Sequence, residues 1–379
     1  MTSRCLFLFI DALSARYLDD PSLMPKTHDF MNSFHSSEFI PVLGYSQAIK
    51  SSIFTGKPPS ITDVYGKYRF NFVDSPMKWL SRFPFKNSLD EYPFIRYPIN
   101  MILSFVFGLP RNNIPLSAHH FLKFHELEDP FNYTTIGGAQ TVFSKINSSG
   151  GKFHFYGYPV NTGDQDAISS ARKTISNDDL TVVYLGELDH AGHHLSFENP
   201  NFRLKLKEYD KIISDFIDVA QRNSMSLLLF SDHGMSKVNS SFNIISSLRR
   251  NDILMGRDIA AIIDSTLFRA ISLRNNFKLK EILSNLKNCH LLTESEKKEF
   301  GLDFPNRDHG ELFLLLDEGF VFLPGFYDVT GRLPEGMHGY SPLLNSQHGI
   351  LISTREADHL PNLVTYADVF AELCSSLNL

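Results

Sequence analysis

Three apolar segments of this 379-residue chain end in the same way, with an aspartate directly after a run of aliphatic and aromatic residues. LFLFI is followed by Asp11, VVYLGEL by Asp189, and LLLFS by Asp232 and His233. Runs of this kind predict strands that are buried on both faces of a sheet. In an open α/β sheet, ligands bind outside the carboxyl ends of the strands. The pattern therefore predicts that these side chains meet at one edge of a sheet.

Strands and helices alternate along much of the chain, which favours an α/β fold with a mostly parallel central sheet and helices on both faces. Apolar residues at helical spacing predict an amphipathic helix over 202–221. Strands are predicted at 4–10, 38–42, 152–158, 181–185, 226–230, 258–264, 312–316 and 349–353, and further helices at 21–34, 46–55 and 363–377. We expect one domain that spans residues 1–379.

The region from residue 66 to residue 150 differs from the rest of the chain. It is rich in Pro, Phe and Asn, its apolar periodicity is weak, and ten aromatic residues fall between Phe70 and Phe107. We interpret this region as an aromatic-rich insertion or cap with a small satellite core of its own. A contact surface for protein or lipid is the alternative, because exposed rings in a patch mark interfaces.

Charge and cysteine content exclude several classes of function. The net charge is −6 and no block of Lys and Arg occurs, so no nucleic acid polymer is expected as a partner. Cys5, Cys289 and Cys374 lie far apart and predict neither a disulfide framework nor a Cys-rich zinc module. The N-terminal apolar run is too short for a transmembrane helix, and we expect no transmembrane segment and a cytoplasmic setting.

The stretch GELDHAGHH, residues 186–194, raises the question of a metal site. Asp189 and His193 stand four residues apart, which lets a carboxylate and an imidazole on one helical turn face the same ion. Asp11, Asp232 and His233 add ligands of the same kinds. A set of Asp and His without Cys suits Zn²⁺ and excludes neither Mn²⁺ nor iron. Because these ligands exceed one tetrahedral site, we predict two divalent metal ions.

The segment VLGYSQAIKSSIFTG supplies a candidate nucleophile. Ser46 is predicted to start a helix, and the N-terminal end of a helix favours developing negative charge. A serine hydroxyl becomes a good nucleophile only when a base or a metal activates it. Neither a Ser-His-Asp order nor a G-x-S-x-G elbow is evident in the sequence, which favours activation by metal. A structural N-cap serine is the alternative.

Taken together, these residues resemble the alkaline phosphatase superfamily, and in particular its nucleotide pyrophosphatase/phosphodiesterase branch. The resemblance rests on five segments in this order: FLFIDAL, the spacing of Ser46 to Thr55-Gly56, ELDHAGH, FSDHGM and MHGYSP. It covers core segments over nearly the whole chain and excludes much of 70–150. It implies an alkaline phosphatase-like α/β fold and a hydrolase of phosphoric esters that forms a covalent phosphoserine at Ser46.

The resemblance also implies which residues hold the two metal ions. One ion would be bound by Asp189, His193 and His338, and the other by Asp11, Asp232 and His233, with Ser46 beside it. His338 heads an HGY segment that precedes an apolar strand, as the ligand histidine of the family does. The competing pair is His348-Gly349, in which His348 would stand at the start of that strand, outside the metal site.

The chain departs from the family pattern near its substrate-binding position. The branch often has threonine where this chain has Ser46, and it usually carries an asparagine further along that holds a phosphoryl oxygen. Lys67, in the run VYGKYRF, stands near that position and is the predicted substrate contact, with Asn71 the alternative. As a substrate contact, a lysine would favour a highly charged phosphoryl group. The alternative is that Lys67 is a solvated residue of a turn without a role in function.

Two readings compete with that of a hydrolase acting on a small phosphorylated substrate. The same site would support a transferase that passes the phosphoserine group to a soluble alcohol, and a chain without catalysis would be a metal-binding scaffold protein. Sulfate esters are disfavoured, because the sulfatase pattern C/S-x-P-x-R is replaced here by SQAIK. Monoesters, diesters, pyrophosphates and phosphonates are all substrates of this fold, so the fold does not choose among them.

Overall fold

The chain forms two compact units in a computed structural model that describes residues 4–44, 46–83, 89–90, 92–125, 130–175, 178–274, 277–328, 331–355 and 360–379. The first unit comprises Met1–Val64, Leu127–Lys237 and Pro342–Leu379, and the second comprises Tyr65–Glu126 and Val238–Ser341. Residues 65–126 thus group with 238–341, whereas 127–150 belong to the first unit. The single domain over 1–379 and the insertion or cap over 66–150 stay predictions.

A seven-stranded sheet forms the centre of the first unit. Its strand order is Leu363–Val364, His35–Phe39, Gly349–Ser353, Ser226–Phe230, Cys5–Ile10, Leu180–Leu185 and Phe153–Tyr156. The strand Cys5–Ile10 is parallel to both of its neighbours, and Gly349–Ser353 is antiparallel to both of its own. Every residue of Cys5–Ile10 and Leu180–Leu185 is buried, which explains their unbroken apolar sequences. The predicted α/β fold with a mostly parallel sheet is confirmed.

Helices pack on this sheet, and Pro200–Arg222 buries an apolar stripe. In Pro200–Arg222 the stripe includes Leu206, Ile213 and Phe216, which join the main hydrophobic cluster with the strand residues Leu8 and Leu229. The α-helices of this unit are Pro25–Ser33, Ser46–Thr55, Pro59–Thr62, Val142–Ser148, Asp164–Thr174, Glu187–His194, Pro200–Arg222 and Tyr366–Ser376. Short 3-10 helices lie at Ala15–Leu18, Pro130–Asn132 and Asn345–Gln347, and short strands at Thr135–Ile136, Ala139–Gln140 and Ser236–Lys237.

The second unit has its own antiparallel sheet, in the order Ile259–Ile263, Leu267–Ser272, Leu312–Leu316 and Cys289–Leu291. Two strands expected from the sequence, at 258–264 and 312–316, therefore belong to this sheet and not to the central one. The second unit also contains short strands outside this sheet, at Tyr68–Phe70, Leu122–Phe124, Ser240–Phe242, Phe320–Phe322 and Gly336–Met337. Its helices are Lys78–Arg82 (3-10), Pro93–Phe107, Leu116–His119, Ile244–Arg250, Phe277–Ser284 and Glu294–Glu299.

Two observations concern membrane spans and cysteines. Among the residues that the structure describes, none of the helices combines the length and the apolar character that a bilayer span requires. The three cysteines are free thiols, with Cys5 and Cys374 buried and Cys289 half-buried. The cytoplasmic setting stays a prediction.

Candidate functional site

Three of the predicted metal ligands come together at the carboxyl edge of the central sheet. Asp11 directly follows the strand Cys5–Ile10, and Asp232 and His233 follow its parallel neighbour Ser226–Phe230 after one residue. Asp11, Asp232 and His233 are 4%, 0% and 1% exposed. The Nε2 atom of His233 lies 3.2 Å from Oδ1 of Asp11 and 3.7 Å from Oδ2 of Asp232. The strand register therefore gathers two carboxylates around one imidazole in a dry environment.

Asp189 and His193 lie on the helix Glu187–His194, which begins just after the strand Leu180–Leu185. The Nε2 atom of His193 is 3.4 Å from Oδ1 of Asp189, and these side chains are 23% and 22% exposed. One ligand atom each of Asp11, Asp189 and His233 lie within 4.8 Å of one another. Asp189 therefore lies within metal-sharing distance of the buried group as well as beside His193.

Local backbone geometry orients the ring of His233. Its Nδ1 atom is 2.9 Å from the carbonyl oxygen of Gly234, an acceptor, so Nδ1 carries the proton and Nε2 faces the carboxylates. This is the orientation in which histidine ligands are usually held. Gly234 has no room for a side chain, because a Cβ atom would lie 2.2 Å from the carbonyl oxygen of Ser346. The glycine after the Asp-His pair is required by this close approach.

Burial and mutual charge shift the pKa values of these groups. Burial raises the pKa of Asp232 to about 8, and repulsion from the Asp11 carboxylate adds to the rise. Burial disfavours the charged ring of His233, but attraction to Asp232 and Asp11 raises its pKa to about 10. Burial also raises the pKa of Asp11, but contact with His233 and the charge of Lys50 outweigh it and hold this pKa below its usual value. These groups share protons that a divalent cation would displace.

The available lone pairs fit a divalent cation. Oδ1 of Asp11 and Oδ2 of Asp232 are buried, and among the described residues both face the same polar atom, Nε2 of His233. Two buried carboxylate oxygens that depend on one imidazole nitrogen are costly unless a cation satisfies them. Oxygen donors from Asp together with imidazole nitrogen make up a donor set typical of zinc and manganese.

Ser46 is the first residue of the helix Ser46–Thr55 and is half-buried. One turn further on the same face is Lys50, whose Nζ atom lies 3.6 Å from the centre of the Tyr184 ring. The Tyr184 hydroxyl donates a hydrogen bond to Oδ2 of Asp11. Lys50 and Tyr184 therefore belong to the surroundings of the buried carboxylates. The sequence could have identified Lys50 as a site residue, because it stands four residues after Ser46 in the same predicted helix. It could not have identified Tyr184, because an aromatic residue in a buried strand is usually a core residue.

Asp164 positions the helix that carries Asp189 and His193. Its carboxylate accepts the backbone N–H groups of Gly186 at 2.9 Å and Glu187 at 3.2 Å, and a hydrogen bond from the Tyr209 hydroxyl. An aspartate from a distant segment thus caps this helix end, where unpaired N–H groups favour negative charge. Sequence reasoning missed Asp164, because its partners lie far along the chain.

Three further histidines that the sequence analysis considered, His190, His194 and His348, are not among the predicted metal ligands. His190 and His194 are exposed, and Nδ1 of His194 lies 2.8 Å from the carbonyl oxygen of His190. His348 stands directly before the strand Gly349–Ser353, with Nδ1 2.7 Å from Oε2 of Glu38 and Nε2 3.1 Å from the carbonyl oxygen of Pro342. Both ring nitrogens of His348 are therefore engaged by protein oxygens.

Two predicted site residues, His338 and Lys67, lie in the second unit. His338 directly follows the short strand Gly336–Met337. Lys67 precedes Tyr68–Phe70, and its Nζ atom is 5.7 Å from the centre of the Tyr327 ring. The roles of His338 as a metal ligand and of Lys67 as a phosphoryl contact stay predictions.

Comparison with known proteins gives matches over most of the chain. A family model described as type I phosphodiesterase / nucleotide pyrophosphatase matches residues 5–341. The human ectonucleotide pyrophosphatase/phosphodiesterase family member 5 is 24% identical over 243 residues, which are 60% of this chain and 48% of that protein. Family member 7 from rat is 25% identical over 186 residues, 46% of this chain and 41% of that protein. The matches thus span about half the length, or less, of these curated relatives.

Solved structures are similar over the whole chain. Human ectonucleotide pyrophosphatase / phosphodiesterase 5 superimposes with a TM-score of 0.70 at 16% identity, covering 100% of this chain and 95% of that one. A murine structure of the same name, described as inactive and in complex with AMP, gives a TM-score of 0.69 at 16% identity over the same shares. At this level of identity the likeness shows the fold.

Proposed function

Because the chain belongs to the type I phosphodiesterase / nucleotide pyrophosphatase family, we propose that it hydrolyses phosphoric esters with two divalent metal ions and Ser46 as nucleophile. The observation that carries this proposal is the approach of Asp11, Asp189 and His233 to within 4.8 Å of one another. Three such ligands from three separate segments, two of them buried, are hard to explain without a cation. We propose Zn²⁺ as the native ion, with Mn²⁺ as the alternative.

Each proposed ion takes the ligands that the family resemblance implies. Asp11, Asp232 and His233 would hold one ion, in the buried part of the site. Asp189 and His193 would hold the other, with His338 as the proposed third ligand. When bound, the ions would supply positive charge that stabilises the attacking and leaving oxygens at phosphorus.

The residues of the chain have distinct roles in the proposed reaction. The Oγ atom of Ser46 forms a bond to phosphorus as the bond to the leaving oxygen breaks, and water then hydrolyses the phosphoserine. The first turn of Ser46–Thr55 presents backbone N–H groups that favour negative charge. Lys50 adds positive charge to the face that Ser46 occupies, and Lys67 is the proposed contact for a phosphoryl oxygen.

The names of the relatives suggest the first substrates to assay. We propose a nucleotide diester or pyrophosphate as the substrate class, since the relatives are named nucleotide pyrophosphatase/phosphodiesterases and one similar structure is described with AMP. Initial rates would be measured on nucleoside triphosphates, dinucleotides, p-nitrophenyl phosphodiesters and p-nitrophenyl monoesters. A preference for monoesters over every diester and pyrophosphate would contradict the proposed substrate class but would still agree with a hydrolase of phosphoric esters.

The decisive test of the nucleophile compares Ser46→Ala with Ser52→Ala. Ser52 lies in the same helix, is fully buried, and has a hydroxyl with no hydrogen-bond partner in the described part of the chain, so it is a matched control. We expect Ser46→Ala to lose turnover by at least about 10³-fold, while Ser52→Ala keeps it. In acid-quenched wild type, a mass increase should map to the peptide that contains Ser46. Full turnover by Ser46→Ala would remove this residue from its proposed role.

Two measurements separate the hydrolase from the competing functions. A transferase would give phosphorylated alcohol in place of inorganic phosphate or free nucleotide when glycerol is added as acceptor. A scaffold protein would bind metal but release no product from any ester. Purified protein that contains no zinc or manganese, and stays inert when either metal is added, would contradict the proposed function.

A further inference from the structure

The helix Pro93–Phe107 of the second unit has an inverted distribution of polar and apolar residues. Its exposed side chains are Phe94, Pro98, Met101, Ile102, Phe105 and Val106, all of them apolar. Phe105 is 90% exposed, Phe94 73% and Ile102 63%. At 100° per residue these six side chains occupy one face of the helix. A surface helix of a globular protein normally turns such a face toward the core.

The opposite face of this helix carries three polar side chains that hold it in place by hydrogen bonds. Arg96 donates to the side-chain oxygen of Asn113 at 2.9 Å, and Asn100 donates to the carbonyl oxygen of Ile114 at 2.8 Å. The Ser104 hydroxyl donates to the carbonyl oxygen of Pro110 at 3.1 Å. All three side chains are buried. Rotating the helix to hide its apolar face would break these contacts, so the outward direction of that face is built into the unit.

The neighbourhood of this face is rich in exposed rings and in positive charge. The 3-10 helix Lys78–Arg82 shares a hydrophobic cluster with this helix, through Leu80 and Leu103. Within this turn Trp79 is exposed between the exposed cations Lys78 and Arg82, and a third exposed cation, Arg111, follows the helix. Among the described residues from Val73 to Arg111, the exposed acid is Asp74. Exposed apolar residues with Trp and cations nearby are typical of helices that lie in a membrane interface.

We propose that the Pro93–Phe107 face, together with Trp79 and its flanking cations, docks this protein on the surface of an anionic membrane. The helix has 15 residues, and at 1.5 Å per residue it is about 22 Å long, shorter than the apolar core of a bilayer. It would therefore lie along the surface with its apolar side chains among the lipid headgroups. The charge around the face argues against a second copy as the occupant, because a twofold pairing would bring cations toward cations.

The single tryptophan of the chain, Trp79, reports directly on this docking. The full chain would be mixed with vesicles of phosphatidylcholine alone, and of phosphatidylcholine with phosphatidylglycerol. We expect the Trp79 emission to shift to shorter wavelength, and the protein to float with the vesicles, when the anionic lipid is present. Raising the salt concentration should weaken this binding, since the attraction to anionic headgroups is screened.

Matched substitutions test the role of the helix face. We expect Phe105→Asp to lower the vesicle-bound fraction by about tenfold or more, because a ring that would enter the lipid is replaced by a charge that anionic lipid repels. Leu204→Asp, at an exposed apolar site on a helix of the first unit, is the control and should bind as wild type does. Both variants should keep the wild-type unfolding temperature, because both side chains are exposed.

Three results would overturn the proposal. Wild-type protein that stays unbound from anionic vesicles at low salt would do so, as would binding that Phe105→Asp leaves unchanged. A dimer in light scattering that Phe105→Asp converts to monomer would show that the face pairs with a second copy. None of these readouts depends on catalysis, so they are independent of the proposed function.

Discussion

The candidate site has two halves that contain the same kinds of ligand in different surroundings. Asp11, Asp232 and His233 stand on loops directly after buried strands and are almost fully buried. Asp189 and His193 stand on one helix and remain partly open to solvent. Charge is costly in the buried half unless a cation compensates it, whereas water can replace a lost ligand in the open half. The two halves should therefore respond differently to substitution.

The largest effect is expected at Asp232 in the buried half. Asp232→Asn removes one of two neighbouring carboxylates, so the proposed ion loses both a ligand and charge compensation, and turnover should fall by about 10³-fold or more. In chelator-treated protein the same change should leave the unfolding temperature unchanged or higher, because it relieves repulsion from Asp11. Thermal unfolding with and without added Zn²⁺ would show both effects. A variant that Zn²⁺ still stabilises as it does wild type would contradict the assignment.

The second largest effect is expected at Lys50, which faces the buried half. Lys50→Met removes a positive charge beside Asp11 and Tyr184, and turnover should fall by about 10²-fold. Lys50→Arg should recover part of this loss. The control is Lys57→Met, since Lys57 is an exposed lysine just after the same helix. Equal turnover in Lys50→Met and Lys57→Met would exclude Lys50 from the site.

A smaller effect that metal can rescue is expected at His193 in the open half. His193→Ala should lower the affinity for added metal by about 10–100-fold, and excess Zn²⁺ should restore much of the turnover, because water can enter the vacated position. His190→Ala changes an exposed residue of the same helix, and this variant should bind added metal with the wild-type affinity. A loss at His193 that no metal concentration reverses would show that the two halves do not differ in this way.

The smallest effect is expected at Asp164, which caps the helix of the open half. Asp164→Ala removes the acceptor of two backbone N–H groups and should lower the free energy of unfolding by about 1–2 kcal/mol. Asp218→Ala, at an exposed position of another helix, is the control. Denaturant titration of both variants measures the difference, and equal stability of the two would show that Asp164 does not hold the helix end.

Sequence patterns predicted the bounds of helices and strands better than they predicted which elements pack together. The helix Ser46–Thr55 and the strands Ser226–Phe230, Leu312–Leu316 and Gly349–Ser353 were predicted with the bounds that the structure has, because turn residues delimit strong apolar runs. The predicted strand at 312–316 lies in the second unit, since a buried apolar strand does not record which sheet it joins. The sequence therefore predicts the order of helices and strands along the chain more readily than it predicts which unit each of them joins.

The candidate site shows the same limit. Asp11, Asp189, Asp232 and His233 could be predicted, because each follows the end of a strand, and strand ends meet at one edge of a parallel sheet. Tyr184 and Asp164 could not, since their roles depend on hydrogen bonds to residues far away in the chain. The inverted helix Pro93–Phe107 was missed for another reason: Pro98 stands inside it, where a proline usually predicts the end of a helix, and several of its buried residues are polar.

The antiparallel strand Gly349–Ser353 has a consequence for the synthesis of the protein. It lies between Ser226–Phe230 and His35–Phe39, so a strand that is synthesised early joins the central sheet through one that is synthesised much later. Until then, the backbone groups of His35–Phe39 that pair with Gly349–Ser353 stay uncovered, and uncovered strand edges invite pairing with other chains. Nascent chains that stop before residue 349 should therefore depend on chaperones to remain soluble.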